Sequence, residues 1–537
     1  MTLSPLLHIR DLTVTLRASG QDMPVVRKVS FDLYAGRTLA IVGESGSGKT
    51  MTAMAVLGLG PPGTPLTLQG VARFDGRDLQ AMSEREMRAL RGRRIGAVFQ
   101  DPSGSLNPLM TVGEQIREAA RAAGVSRTAA RAKVRALLDE VGLAQVPGIV
   151  GRHPHELSGG QQQRCMIALA LAGDPDLLVA DEPTTALDSE IADQIIALLA
   201  NLRARRGMAM LFISHDLGVV SELAQDIVVM REGRIVETGS ARQILTNPQH
   251  NYTKALIACT PSTGGPARAR LKTLDMIRAG TEPGPKRPAS PGPVVLSVRN
   301  LKVRYPGRGL MRSGHLALRG VSFDLEARSS LGVVGASGSG KSTLGRAIVG
   351  LVAIEAGTMH TGDRMLPANG QRSASDRRDV QYVFQDAAGA LNPRRTIGQS
   401  LLEPLHIHGL PSGSVEHMLE EVGLPPHLSS RFPVELSGGQ LQRVTIARAL
   451  ALEPRCLICD EITSALDVSS QAQVLNILSD LQESRNLAIL FISHDQALVE
   501  HFCDRVVIMD NGLLMKDGTQ ERTTGSARDA SLAYETA

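Results

Sequence analysis

Short, uninterrupted apolar runs recur along the chain, separated by longer segments that we interpret as helices. The first half contains TLAIVG, LLVADEP and AMLFISHD, and the second half repeats the series as SLGVVG, CLICDEI and AILFISHD. Apolar runs without alternation are typical of strands that are buried on both faces. We therefore predict an α/β fold in which each half has a mostly parallel sheet covered by helices.

The end of each run is polar or rich in glycine. In each half one run leads into a glycine-rich loop, one reaches two carboxylates, and one ends in Ser-His-Asp. In open parallel sheets the ligand crevice lies beyond the carboxyl ends of the strands. We therefore expect the functional residues of each half to come from these ends.

The two halves form a tandem repeat. Gly335 follows Gly43 by 292 positions, whereas Ser437 follows Ser158 by 279, and the two FISHD strings are also 279 apart. A fixed downstream spacing is expected if those motifs meet in one site, and the upstream length change fits a surface insertion. We predict a first domain at 1–262, a Pro/Gly-rich linker at 263–294 and a second domain at 295–537.

Composition narrows the choice of function. Of the 537 residues 3% are aromatic, and the net charge is +4. Scarce aromatics and dispersed basic residues disfavour a protein built to stack or wrap nucleic acid. The five scattered cysteines argue against a disulfide framework, and we interpret Cys456 and Cys459 as buried strand residues. The sequence shows neither a bilayer-spanning run nor a signal peptide, so we expect a cytoplasmic location.

Two strings fit the phosphate-loop pattern GxxxxGK[ST]. Glycines let such a loop wrap a phosphate with its N–H groups pointing inward, and the following helix contributes its positive end. We expect Lys49 and Lys341 to reach the β- and γ-phosphates of a nucleotide, and Thr50 and Ser342 to bind Mg²⁺. The nucleotide-binding candidates are Gly43, Glu44, Ser45, Gly46, Ser47, Gly48, Lys49, Thr50, Gly335, Ala336, Ser337, Gly338, Ser339, Gly340, Lys341 and Ser342.

Acidic, amide and imidazole side chains supply the chemistry predicted beside each loop. Asp181 and Asp460 end apolar strands and are expected to hold Mg²⁺. The next residues, Glu182 and Glu461, are placed to orient or deprotonate the attacking water. The alternative is that these carboxylates only cap the next turn. The remaining candidates are Gln100 and Gln385, which could sense the γ-phosphate or Mg²⁺, and His215 and His494, which could bond the γ-phosphate.

The strings LSGGQQQR and LSGGQLQR are the most specific in the chain. A Ser-Gly-Gly turn before a helix is a second anion cradle, and one half does not need two cradles for one phosphate chain. Together with the acidic strand ends, these strings resemble the ATP-binding cassette (ABC) ATPases. The resemblance adds Ser158, Gly159, Gly160, Gln161, Ser437, Gly438, Gly439 and Gln440 to the nucleotide-binding candidates.

The resemblance implies a P-loop NTPase fold with a helical subdomain and an antiparallel β subdomain in each half. It also implies that the halves pair head to tail, so that each ATP lies between the phosphate loop of one half and the signature of the other. Asp188 and Asp467, in TALD and SALD, match the family loop that crosses between the halves. One site would combine Lys49, Gln100, Glu182 and His215 with Ser437 and Gly439, and the other Lys341, Gln385, Glu461 and His494 with Ser158 and Gly160.

Further segments resemble the dipeptide, oligopeptide and nickel branch of ABC importers. They are FQDPSGSLNPLMTVGEQI, its counterpart FQDAAGALNPRRTIGQSL, and NPQHNYTKALIACTP, which is similar to that branch's HPYT extension although Asn251 replaces Pro. The second half looks especially like nickel or metallophore importer ATPases. The branch implies ATP hydrolysis that drives import, two integral membrane permeases as partners, and a solute-binding protein acting through them. It also implies a peripheral position on the cytoplasmic face of the inner membrane.

Two positions depart from the family pattern. An aromatic residue ahead of the phosphate loop usually stacks on adenine; Tyr305 suits this role in the second half, whereas the first half has Leu16. Ile462 replaces the family's proline after the glutamate, a change that we expect to be mild. Since all the core catalytic residues of the family occur in both halves, we predict two hydrolytic sites.

Two other functions compete with import. Soluble twin-cassette ATPases act on ribosomes or nucleic acid, but they usually show a charged helical linker or zinc-binding cysteines, and this linker is rich in Pro and Gly. Exporters commonly carry fused membrane segments. We therefore favour import and expect no nucleic acid partner.

Overall fold

The computed structural model describes most of the chain. The predicted linker lies largely outside the described residues, as does Asp188. The described residues are 4–18, 21–61, 63–64, 66–185, 187, 189–259, 270–273, 276–277, 281, 292–306, 314–368, 372–464 and 466–515.

The first half contains a six-stranded sheet. Its strand Thr38–Val42 pairs in parallel with Ala209–Ile213 on one side and with Asp226–Arg231 on the other. Every residue of Thr38–Val42 and Ala209–Ile213 is buried, as the unbroken apolar runs predict. The order across the sheet is Arg234–Ser240, which is antiparallel to its neighbour, then Asp226–Arg231, Thr38–Val42, Ala209–Ile213, Leu177–Asp181 and Ile95–Val98.

A four-stranded antiparallel sheet shares the core of the first half. Leu7 and Phe74 from this sheet belong to the same buried cluster as Leu39 and Ile41 from the parallel sheet. Its strands, in spatial order, are Gln21–Leu33, Leu7–Ala18, Leu66–Phe74 and Arg77–Asp78.

Helices occupy most of the rest of the first half, including much of the segment between Gln100 and Ser158. The α-helices are Lys49–Val56, Glu84–Arg93, Pro102–Ser105, Val112–Ala122, Arg127–Glu140, Gly159–Ala170, Ser189–Arg206, Leu217–Leu223, Ala241–Thr246 and Asn251–Ala258, and the 3-10 helices are Leu79–Ala81, Ile149–Gly151 and Pro154–Glu156.

The second half repeats this layout. Its antiparallel sheet has the order His315–Glu326, Val294–Tyr305, Ala356–Thr361 and Arg364–Leu366, and its six-stranded sheet the order Val380–Val383, Cys456–Asp460, Ala488–Ile492, Ser330–Val334, Arg505–Asp510 and Leu513–Met515. Its α-helices are Lys341–Ile348, Ala374–Asp379, Ile397–Ile407, Val415–Glu421, Gly438–Leu450, Val468–Ser484 and Gln496–Phe502, with 3-10 helices at Pro426–Ser430 and Pro433–Glu435.

The predicted fold class is confirmed in both halves: each has a mostly parallel core sheet, a helical segment and an antiparallel sheet. All five cysteines are buried and none forms a disulfide, as expected for Cys456 and Cys459 on a core strand. Among the described residues, no helix is long and apolar enough to cross a lipid bilayer.

The chain folds into two compact units. The first comprises the first half together with the helical segments 383–453 and 461–485 of the second half. The second comprises 289–382, 454–460 and 486–537. The domain boundaries at 262 and 295 stay a prediction.

Candidate functional site

The first phosphate loop connects strand Thr38–Val42 to helix Lys49–Val56 and depends on glycine at both ends. Gly43 and Gly48 have φ of 153° and 98°, where a side chain is strained. A Cβ on Gly43 would lie 2.2 Å from the carbonyl oxygen of Met230, and one on Gly48 2.9 Å from that of Val25. The loop therefore approaches neighbouring backbone too closely for any other residue.

Lys49 lies at the centre of this loop. Its Nζ donates to the carbonyl oxygens of Gly43 and Glu44, both at 2.8 Å, and the residue is buried. Burial lowers the pKa of Lys49, and the carboxylates around it, with Glu182 the most effective, oppose that shift. The buried hydroxyl of Ser47 has no hydrogen-bond partner within the described residues. A cation and an unpaired hydroxyl inside a glycine loop fit a phosphate group.

A hard-cation site adjoins the loop. Thr50 Oγ1 donates to Asp181 Oδ1 at 3.2 Å, and burial raises the pKa of Asp181 to about 6. A bound cation would offset that burial cost. The described residues contain no group of three or more His, Cys, Asp or Glu side chains that could hold a metal ion by themselves. One carboxylate and one hydroxyl fit Mg²⁺, which usually completes its shell with water and substrate phosphates.

Three side chains converge on Glu182. Gln100 Nε2 donates to Oε2 at 3.1 Å, Thr185 Oγ1 donates to the same oxygen at 3.0 Å, and His215 Nδ1 lies 3.2 Å from Oε1. Glu182 has φ of 47°, a left-handed conformation that costs a non-glycine residue about 1–3 kcal/mol. The carboxylate is therefore held in one orientation, and Gln100 and His215 both contact it directly.

Electrostatics keep this glutamate ionised. Burial alone would raise the pKa of Glu182, but the hydrogen bond from His215 and the charges of His215 and Lys49 lower it below its ordinary value. Burial would likewise lower the pKa of His215, and the hydrogen bond and charge of Glu182 raise it instead. A negatively charged carboxylate with a basic neighbour can orient and deprotonate a water molecule.

The raised pKa of His215 predicts a pH-dependent contribution to stability. Below the ordinary histidine value of 6.5 the protonated form is bound in the folded state, and the contribution is lost as pH rises through the raised pKa. Lys49 opposes and Asp216 supports this protonation. We expect the difference in thermal midpoint between the unaltered chain and His215→Gln to be largest below pH 6.5 and to shrink as the pH rises above that value.

The control for this prediction is His406→Gln, an exposed histidine on helix Ile397–Ile407. Its thermal midpoint should follow that of the unaltered chain at every pH. A difference for His215→Gln that stays constant over the same range would contradict the ion pair with Glu182.

The second phosphate loop has the same internal geometry. Lys341 Nζ donates to the carbonyl oxygens of Gly335 and Ala336 at 2.6 and 2.9 Å, and the buried Ser339 hydroxyl has no partner among the described residues. Ser342 Oγ donates to Asp460 Oδ1 at 3.0 Å, which repeats the pairing of Thr50 with Asp181.

The second glutamate also repeats the first. Gln385 Nε2 donates to Glu461 Oε2 at 2.9 Å, and Glu461 has φ of 50°. Ser464 takes the place of Thr185 and lies 3.5 Å from the Gln385 amide nitrogen. His494 follows strand Ala488–Ile492 as His215 follows Ala209–Ile213. Gln385 and Glu461 therefore repeat the contact of Gln100 with Glu182, and His494 repeats the position of His215 in the chain order.

The two signatures form helix N-termini with reciprocal caps. Ser158 Oγ accepts from the amide of Gln161 while the Gln161 side chain accepts from the amide of Ser158, and Ser437 and Gln440 do the same. These two capping boxes begin the helices Gly159–Ala170 and Gly438–Leu450. A role of Gly159, Gly160, Gly438 and Gly439 in binding nucleotide stays a prediction.

One contact joins the first phosphate loop to the second half of the chain, within the first compact unit. The amide of Ser45 donates to Asp467 Oδ2 at 3.2 Å. The other carboxylate oxygen of Asp467 accepts from the amide of Ser470 at 2.8 Å and caps helix Val468–Ser484. Asp467 thus bridges the Lys49 loop and a second-half helix, while its counterpart Asp188 lies outside the described residues.

The structure describes the candidate for adenine stacking, Tyr305, and the two residues that depart from the family pattern, Leu16 and Ile462. Tyr305 ends strand Val294–Tyr305 and is 36% exposed, with its hydroxyl 3.3 Å from Thr343 Oγ1 on the helix that follows the phosphate loop. Leu16 is half-buried on strand Leu7–Ala18, and Ile462 is buried. An exposed ring beside the loop helix remains available for stacking on adenine.

Two tyrosines near these sites were missed by sequence reasoning. Tyr252, in the extension of the first half, hydrogen-bonds Glu44 in the phosphate loop. The hydroxyl of Tyr382 donates to Asp460 Oδ2. The only sequence signal for Tyr382 was the contrast with Ala97, which occupies the equivalent position in the first half of the repeat.

Comparison with known proteins identifies the family of this chain. The family described as ABC transporter matches residues 26–185 and 318–464, and the family described as oligopeptide/dipeptide transporter, C-terminal region, matches residues 236–286. The dimeric structure of a bacterial ABC transporter cassette aligns with 44% of this chain and 99% of its own, at a TM-score of 0.39 and 27% identity.

Relatives that align with nearly the whole chain indicate the same family. The glutathione import ATP-binding protein GsiA of Escherichia coli O157:H7 is 44% identical over 95% of this chain and 86% of its own length. The protein of the same name from Escherichia coli K12 is 43% identical over the same shares. The chain therefore belongs to the ABC transporter family, as an ATP-binding protein with two cassettes and the C-terminal region of the oligopeptide/dipeptide transporters.

Proposed function

We propose that this chain is the ATP-hydrolysing subunit of an importer for peptides or nickel/metallophore-type solutes, and that its halves pair head to tail around ATP. The observation that carries the pairing is the bond from the Ser45 amide to Asp467, because it brings a second-half residue onto the first phosphate loop. The oligopeptide-transporter region at residues 236–286 supports import.

At the first site, Lys49 and the loop amides bind the β- and γ-phosphates of ATP, and Thr50 and Asp181 hold the metal. Mg²⁺, when bound, neutralises the charge that develops on the phosphates. Glu182 orients and deprotonates the attacking water. Gln100 and His215 fix the Glu182 carboxylate. Their position supports roles as sensors of the γ-phosphate and its metal.

The second site uses the equivalent residues. Lys341 binds the phosphates, and Ser342 and Asp460, already hydrogen-bonded, hold Mg²⁺. Glu461 orients the water with help from Gln385, and His494 bonds the γ-phosphate. Tyr305 stacks on adenine, whereas Leu16 offers only an apolar contact to the nucleotide of the first site.

The signatures complete each site from the opposite half. Ser437 and Gly439 meet the γ-phosphate held by Lys49, and Ser158 and Gly160 meet the one held by Lys341. ATP then contacts both faces and stabilises the closed pair, and hydrolysis removes one side of the bridge. The cycle of closing and opening is the mechanical output of the chain.

Two integral membrane permeases receive this output at the cytoplasmic face of the inner membrane, and a solute-binding protein delivers the solute to them. The names of the relatives, which import glutathione, support a peptide-sized solute. Nickel or a metallophore is the second candidate, because the sequence of the second half resembles nickel or metallophore importer ATPases.

Association with permeases tests this proposal. We expect affinity purification of the chain in mild detergent to recover a pair of integral membrane proteins, and their amounts to fall when the complex is dispersed in harsh detergent. Recovery of ribosomes or nucleic acid without a membrane protein would contradict it and favour a soluble twin-cassette ATPase.

A further inference from the structure

The first phosphate loop is anchored by a tyrosine outside the cassette core. The amide of Glu44 donates to the hydroxyl oxygen of Tyr252 at 3.1 Å. The Tyr252 hydroxyl lies 3.4 Å from Glu44 Oε2, to which it donates. Both polar groups of Glu44 that face the extension are thus bound by a single side chain.

Tyr252 is itself held firmly. The residue is 3% exposed, and the guanidinium of Arg231 lies 5.2 Å from the centre of its ring. Burial, and then the Glu44 carboxylate, raise the pKa of the phenol, so it remains a hydrogen-bond donor throughout the neutral range. The buried side chain of Tyr252 therefore has a fixed position and can hold the phosphate loop in one conformation.

Adjacent loop amides are bound from two directions. Tyr252 holds the Glu44 amide from the helix Asn251–Ala258, and Asp467 holds the Ser45 amide from the second half. The same extension continues to the second half, where Leu271 exchanges two hydrogen bonds with Asn476, at 3.1 and 2.8 Å. All these residues belong to the first compact unit.

The second phosphate loop provides an internal contrast. Ala336 stands where the first loop has Glu44, so the second loop has no carboxylate at this position. The extension, which is the region at residues 236–286 that matches the oligopeptide/dipeptide transporter family, follows the first cassette. The glutamate and the tyrosine therefore belong to the same half of the chain.

We propose that Tyr252 is a positioning residue for the first ATP site, which makes the C-terminal extension part of that site. By fixing the Glu44 amide and carboxylate, it orders the loop before the phosphates arrive, so that less conformational entropy is lost on binding. This inference rests on the proposed function, because it requires that Lys49 and its loop bind ATP. The hydroxyl acts through the loop and does not touch the nucleotide.

Equilibrium binding of a fluorescent ATP analogue with Mg²⁺ to the full chain tests this role. In a Lys341→Ala background, which leaves the first site, Tyr252→Phe should weaken binding about fivefold, the value of one typical hydrogen bond. In a Lys49→Ala background, which leaves the second site, the same substitution should change nothing. A folding defect would affect both backgrounds equally.

Two further variants separate the hydroxyl from other effects. Tyr34→Phe removes the same atom from another tyrosine of the first half and should bind as the parent does. Glu44→Ala copies the second loop, and combining it with Tyr252→Phe should add little to either single loss, because both act through one contact.

The outcomes distinguish this inference from the proposed function. Unchanged affinity of Tyr252→Phe in the Lys341→Ala background, or equal losses at both sites, would overturn the positioning role. Full binding by the chain that carries both Lys49→Ala and Lys341→Ala would instead overturn the ATP sites themselves.

Discussion

A chain that carries both Glu182→Gln and Glu461→Gln should hydrolyse ATP at least about 100-fold more slowly than the unaltered chain, while still binding it. Glutamine keeps the shape of the side chain and can still hydrogen-bond Gln100 and Thr185, or Gln385 in the second half. It has no negative charge with which to accept the proton of the attacking water. ATP should therefore accumulate in a closed, unreacted state.

Steady-state phosphate release measures the rate of hydrolysis, and retention of labelled ATP measures binding. The control is Glu118→Gln with Glu500→Gln, which makes the same change of charge at two exposed helical positions. It should hydrolyse ATP at the parental rate. If the site variant also kept a near-normal rate, neither glutamate would be the base.

The second large effect concerns which signature serves which phosphate loop. A Cβ on Gly439 would lie 2.7 Å from Ser470 Oγ, and one on Gly160 2.6 Å from Ile191 Cγ2. An aspartate at either glycine therefore displaces the helix start and also places a negative charge near the phosphates. In the chain that carries Glu182→Gln and Glu461→Gln, each of these aspartate substitutions should abolish ATP trapping at one site.

Combining these changes with a loop substitution shows the pairing. Lys49→Ala with Gly439→Asp damages the same site twice, so about half of the trapped ATP should remain. Lys49→Ala with Gly160→Asp damages both sites, so trapping should fall to background. Gly151→Asp is the matched control, because a Cβ there meets no atom within 4 Å. The reverse result for the two combinations would show that each signature serves its own half.

Much of the fold was predictable because local patterns and the global fold agree. The buried strands are short, continuous apolar runs, and their shortness and the glycine or polar residues that follow them favour strand over helix in both copies of the repeat. The meeting of Gln100, Glu182 and His215 followed from the same logic. Their strands are neighbours or near neighbours in a parallel sheet, so their carboxyl ends share one edge.

Other features depend on distances that no local pattern encodes. Tyr252 reaches Glu44 from a position 208 residues later in the chain, and sequence spacing gives no rule for such a contact. The left-handed conformation of Glu182 and Glu461 is also set by the surrounding turn and is disfavoured by the residue itself. Sequence alone predicted which groups meet at the strand ends, and it could not predict what holds them in place.

The central claim is that ATP at the first site is shared between the two halves of the chain. A structure of the Glu182→Gln, Glu461→Gln variant with bound ATP and Mg²⁺ tests it most directly. We expect the γ-phosphate held by Lys49 to contact Ser437 and the amide of Gly439 within hydrogen-bond distance. A triphosphate enclosed only by residues of the first half, with Ser437 remote from it in the closed state, would contradict the claim.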